Sequence, residues 1–180
     1  MMMDRGHEVF LYGGTVNEAP CTEFIACVSA ADRAAHVGEG HFTAAPFDSN
    51  LPFWRNANAR MAAEIAARAR PQDFLCVIGG VAQKPIADAL PSMMAVEFGV
   101  GYGGTFSKYR VFESYAWMHT IYGAATMGRP HDADGNWWDA VIPGYLDPAQ
   151  FPFAEEPEDY FLFVGRLRIR KGVEVLFEAL

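Results

Sequence analysis

Four short apolar runs in this chain stop at glycine, and that punctuation constrains the fold more than any other feature. Glu8 to Tyr12 is closed by Gly13-Gly14, and Asp73 to Ile78 by Gly79-Gly80. Met93 to Phe98 runs into a glycine-rich turn, and Tyr160 to Val164 ends at Gly165. Short apolar runs bounded by turn residues read as buried strands. Thr22 to Val28 and Ala140 to Pro143 add two further short strand signals. Between them lies a helical pattern over Asn56 to Arg70, where Met61 and Ile65 share one face. Arg60, Glu64 and Arg68 repeat at four-residue spacing on another face, and Pro71 ends the pattern. Strands alternating with helices predict α/β architecture. Phe106 to Thr120 is ambiguous, since it is aromatic and long enough for a helix while Tyr115 to Tyr122 also suits a strand.

The composition is globular, with half the residues hydrophobic and a fifth charged. A net charge of −8 argues against a nucleic-acid partner, which requires a basic face. Cys21, Cys27 and Cys76 are odd in number and lack C-x-x-C spacing, which predicts reduced, buried thiols in the cytoplasm and neither a disulfide framework nor a zinc site. The first residues do not form a signal peptide. No stretch approaches the roughly 20 apolar residues that span a bilayer.

The C-terminal part carries the densest charge. Arg166, Arg168, Arg170 and Lys171 follow the Tyr160–Gly165 run and precede an apolar pattern at Val173, Leu176, Phe177 and Leu180. A strand, a glycine, a basic loop and a helix start form the geometry of an anion site. A solvated basic turn is the plain alternative. Asp147 to Asp159, with Pro148, Pro152, Pro157, Glu155, Glu156 and Glu158, reads as an acidic linker. The helical pattern reaches Leu180 without a cap, and both ends read as unfinished.

Phe163-Val164-Gly165-Arg166, a basic loop, Lys171-Gly172 and an apolar helix resemble the opening of the C-terminal domain of GT-B retaining glycosyltransferases (family 4, group 1-like). Val141-Ile142-Pro143-Gly144-Tyr145-Leu146-Asp147 and Phe151 resemble that family's Val-Ile-Pro-Asn-Gly-Val-Asp segment, with Gly144-Tyr145 replacing the usual Asn-Gly. Arg5-Gly6-His7-Glu8-Val9 matches the pattern that ends the family's first helix and opens its second strand. The resemblance implies a Rossmann-like acceptor domain over 1–150 lacking its first strand, a linker over 151–159, and the first strand, loop and helix of a truncated nucleotide-sugar domain over 160–180. It implies a nucleotide-sugar donor, with Arg166 and Lys171 on its diphosphate. It leaves the acceptor open among a glycan, a lipid and a small molecule, and implies no cofactor and no required metal. An exposed C-terminal strand and helix would favour oligomers.

Three further patterns carry candidate chemistry. Gly99, Gly101 and Gly104 satisfy G-x-G-x-x-G, and a dinucleotide-dependent oxidoreductase is the reading that follows if a helix comes next. In the GT-B frame, Gly101, Gly103 and Gly104 instead form an acceptor-side loop. Asp132-Ala133-Asp134 suits a divalent metal, or a solvated turn. Arg110, Glu113 and His119 are polar groups within an aromatic stretch. Glu113 and His119 are candidate catalytic residues, though a core position for His119 is the favoured reading. A non-catalytic α/β domain is the remaining alternative.

Overall fold

The computed structural model describes residues 2–38, 45, 48–100, 104–125, 134–151, 153, 155–156, 158–165, 167 and 169–180. They fall into two compact units, Met1–Gly144 and Tyr145–Leu180. The first is an α/β unit with parallel sheets. Strands β1 (Phe10–Gly13) and β2 (Glu23–Ala26) form one parallel pair. Strands β3 (Phe74–Val77), β4 (Met94–Val100), β5 (Tyr109–Phe112) and β6 (Asp139–Val141) form a second sheet in that order, every pair parallel.

Helix α1 (Ala30–Val37) starts at Ser29, whose Oγ accepts from the Asp32 N–H at 3.0 Å. Helix α2 (Pro52–Arg68) begins one turn earlier than its apolar pattern suggests. Pro52 sits at the first position, where no N–H is required, and Leu51 before it is extended. Ala57, Asn58, Met61, Ala62 and Ile65 form its buried face. Of the four-spaced charges, Arg68 pairs with Glu64 at 2.5 Å, whereas Arg60 reaches Asp32 instead.

Met61, Ala62 and Ile65 meet Ile25 of β2, Cys27 just beyond it, and Ile86 and Leu90 of the α3 region (α3, Lys84–Ala89). Phe10, Tyr12 and Leu75 pack on the same cluster. A separate core joins Val100 and Phe112 to Met118 and Ile121 of α4 (Tyr115–Ala125). The ambiguous aromatic segment is therefore strand followed by helix. Ser114 makes the break: its Oγ accepts from the Trp117 N–H and its carbonyl from the Met118 N–H.

The second unit holds 3-10 turns at Pro148–Gln150 and Ile169–Lys171 and helix α5 (Val173–Ala179). Tyr160 to Val164, the most continuous strand signal in the sequence, is not a strand. No described strand pairs with it, and Tyr160, Phe161, Leu162 and Val164 are exposed. An isolated extended segment has no ladder to hold it.

Candidate functional site

The carboxyl ends of parallel strands are where α/β sheets place ligands. Here β3 leads into Gly79, whose N–H donates to Gln83 Oε1 at 2.7 Å. Strand β4 runs to Val100 through Gly99, with φ of 62°, and the chain returns at Gly104, with φ of 80°. Both angles suit glycine. Gly104 lies beside Val81, and Gly99 beside the Glu113 carboxylate just past β5. The structure thus gathers Gly99, Gly104, Val81 and Glu113 at one rim, with Glu113 exposed. Gly101 and Gly103 lie outside the described residues. After Gly104 the chain enters β5 without a helix, so the strand–loop–helix form that a dinucleotide fingerprint needs is missing.

His119 is not a core histidine. It is exposed on α4, tilted against Tyr115 at 6.4 Å between ring centroids. The buried face of that helix is taken by Met118 and Ile121.

A polar row crosses the sheet behind this rim, and of its members the sequence singled out only Arg110. Glu97, Arg110 and Asp139 are register partners on β4, β5 and β6. Glu97 is fully buried, and its Oε2 accepts from the N–H groups of Phe106 and Ser107 at 3.0 and 2.8 Å. Arg110 Nε lies 3.9 Å from the same oxygen. Arg110 Nη1 donates to Tyr122 Oη at 2.6 Å, and Tyr122 Oη donates to Asp139 Oδ2. Asn136 closes the network through both its backbone N–H and its side-chain amide. Burial, with the Asp139 hydrogen bond second, pushes the Tyr122 pKa up. Glu97 Oε1 and Asp139 Oδ1 are buried without hydrogen-bond partners. One signal was available in the sequence: Glu97 is an acid inside an otherwise apolar parallel strand, and such strands are normally buried on both faces.

A pocket of 280 Å³ opens at the carboxyl end of β2, lined by Val28, Asp32, His36, Phe53, Asn56 and Arg60 among others. His36 stacks on Phe53 with centroids 4.1 Å apart, and its Nε2 is buried without a partner. Arg60 donates to Asp32 at 2.7 Å, and that bond, followed by one from Ser29, holds the Asp32 carboxyl below its usual range. No residue of this pocket other than Arg60 stood out in the sequence, because the pocket is lined from two separate helices, Ala30–Val37 and Pro52–Arg68, whose contact periodicity does not encode.

In the second unit, Arg166 lies outside the described residues. Lys171 is exposed and ends a 3-10 turn, and Gly172, with φ of 72°, precedes α5. His131 and Asp132 are outside the described residues, and Asp134 is exposed. Among the described residues no group of three or more His, Cys, Asp or Glu is arranged to hold a metal ion. None of their helices is long and apolar enough to cross a membrane. No family model, curated protein or solved structure matches the chain.

Proposed function

We propose that the chain is part of a nucleotide-sugar-dependent glycosyltransferase of the GT-B type, with the Met1–Gly144 unit as a Rossmann-like acceptor side. The observation that carries this reading is an order of features. A parallel α/β unit ends beside Val141-Ile142-Pro143, and Phe163-Val164-Gly165-Arg166 and Lys171-Gly172 then lead into α5. In this reading Arg166 and Lys171 neutralise the charge that develops on the departing diphosphate, which needs no metal. The acceptor meets the rim at Gly104 and Glu113, where a carboxylate is available to the attacking hydroxyl.

Transfer by this chain alone is not expected. Among its described residues the second unit buries none, so it offers no preorganised cavity for a donor. Weak diphosphate binding is the expected activity, read by NMR titration with nucleoside diphosphates. Shifts at Lys171, Gly172 and Val173 that vanish in the Arg166→Ala/Lys171→Ala double variant support the reading. Shifts produced by a nicotinamide cofactor at Gly99 and Gly104, with none from nucleoside diphosphates, would replace it with the oxidoreductase. Silence from both ligand classes favours a non-catalytic domain.

A further inference from the structure

The pocket at the carboxyl end of β2 is lined by one stripe from each of two helices. On α2, Phe53, Asn56 and Arg60 lie at i, i+3 and i+7, the spacing of a single helix face. On α1, Asp32, Ala35 and His36 lie at i, i+3 and i+4. Val28 and Ala57 are the buried members of the lining. At 280 Å³ the space falls near the lower end of small-molecule sites, which run from about 300 to 1,000 Å³, so it suits one compact molecule.

The lining divides by chemistry. Val28, Ala35, Phe53 and Ala57 are apolar, and the His36 ring lies flat on Phe53, the two planes 2° apart. Trp54 stands edge-on to both rings. The charged part holds one anion and one cation. Asp32 and Arg60 bond to each other at 2.7 Å, yet their side chains keep 43% and 51% of their surface exposed. That bond uses one of the five N–H donors of a guanidinium and leaves acceptor positions on the carboxylate open. Arg60 first, and Ser29 second, hold the Asp32 carboxyl below its usual range, so it is ionised near neutral pH.

Two adjacent opposite charges select against simple ions. An anion drawn to Arg60 meets Asp32, and an amine drawn to Asp32 meets Arg60. A molecule that carries an ammonium and a carboxylate on neighbouring atoms satisfies both. A polyol can bridge the same pair, but its hydroxyls point to all sides and the apolar part of the lining gives them no partner.

We infer that this pocket binds a free α-amino acid with an apolar side chain, its ammonium on Asp32, its carboxylate on Arg60, and its side chain against Phe53, Ala35 and Val28. Arg suits the carboxylate because its planar fork can donate two parallel hydrogen bonds. Among the described residues the pocket shares no lining residue with the rim at Gly104 and Glu113, so the inference does not depend on the glycosyl-transfer reading.

Calorimetric titration of the unaltered protein tests it. L-leucine and L-phenylalanine are compared with 4-methylpentanoate and 3-phenylpropanoate, which lack the ammonium, and with the two amino-acid amides, which lack the carboxylate. At least one amino acid should bind, and both of its analogues should bind about tenfold more weakly or worse, because each loses hydrogen bonds to a charged group. Amide NMR shifts should centre on Asp32, His36, Asn56 and Arg60. Ala35→Trp, which fills the pocket from an exposed position, should abolish binding and leave amides elsewhere unshifted. The analogue series and the shift map need no substitution, so they decide the matter even if that variant misfolds. Equal binding of an amino acid and either of its analogues would overturn the inference. So would shifts centred on other residues, binding of glucose or glycerol in place of the amino acids, or no binding by either amino acid.

Discussion

Glu97 shows how much one buried side chain can organise. Its carboxylate satisfies two consecutive backbone N–H groups where the chain returns from the glycine loop, and it faces Arg110 across the ladder. Removing one partner of a buried ion pair is far costlier than the pair's net contribution, because the remaining charge and donors stay buried. Glu97→Ala should destabilise the protein by about 3–5 kcal/mol. Glu97→Gln keeps an oxygen for both amides but leaves Arg110 without its counter-charge, so a smaller loss of about 1.5–3 kcal/mol is expected. Urea unfolding of the two variants checks this, and equal losses would show that the charge, not the oxygen shared by the two amides, carries the stabilisation. The sequence displayed Glu97 as an acid in an apolar strand but not its partners. Residues 97, 110 and 139 become neighbours only through strand register, which periodicity does not encode.

At the scale of elements, what was legible followed local chemistry. Glycine stops marked the ends of β1 and β3, and the Met61–Ile65 face marked α2. The Phe106–Thr120 ambiguity dissolves at Ser114, a helix-capping residue type placed between strand and helix. Tyr160 to Val164 misled because a strand is a pairing rather than a property of five residues, and apolar composition alone supplies no partner. The junction of α1 and α2 carries a pH prediction. Asp32 of α1 is held below the ordinary carboxylate pKa first by Arg60 of α2 and then by Ser29. A folded-state pKa below the unfolded value adds stability above the ordinary carboxylate range, which is lost as pH falls through the lowered value. Arg60→Ala should move the Asp32 titration, followed by carboxyl NMR, back towards the ordinary value. It should also flatten the acid limb of the stability curve. An unmoved Asp32 would assign the shift to Ser29 alone.

For the whole molecule, the division at Gly144 separates two kinds of energetics. Among the described residues, all that are buried lie in the first unit, most of the apolar ones in two clusters around α2 and α4. In the second, the described residues bury none, and Phe161, Leu162, Val164, Leu167, Ile169 and Phe177 each expose more than seven tenths of their surface. Burial of apolar area is the main favourable contribution to folding, so residues that remain in water add little to global stability. A chain stopping at Gly144 should therefore unfold cooperatively with a Tm within about 2 °C of the full chain, a difference of under 1 kcal/mol. In the full chain, amides of Val173–Ala179 should exchange quickly, while those of β3, β4 and β5 report the global unfolding free energy. The same apolar side chains are a ready surface for packing, so the exchange experiment has a second arm. If the α5 amides are protected in dilute solution and become exposed only with global unfolding, the second unit is already packed on something. The shortened chain would then lose stability well beyond that 2 °C window.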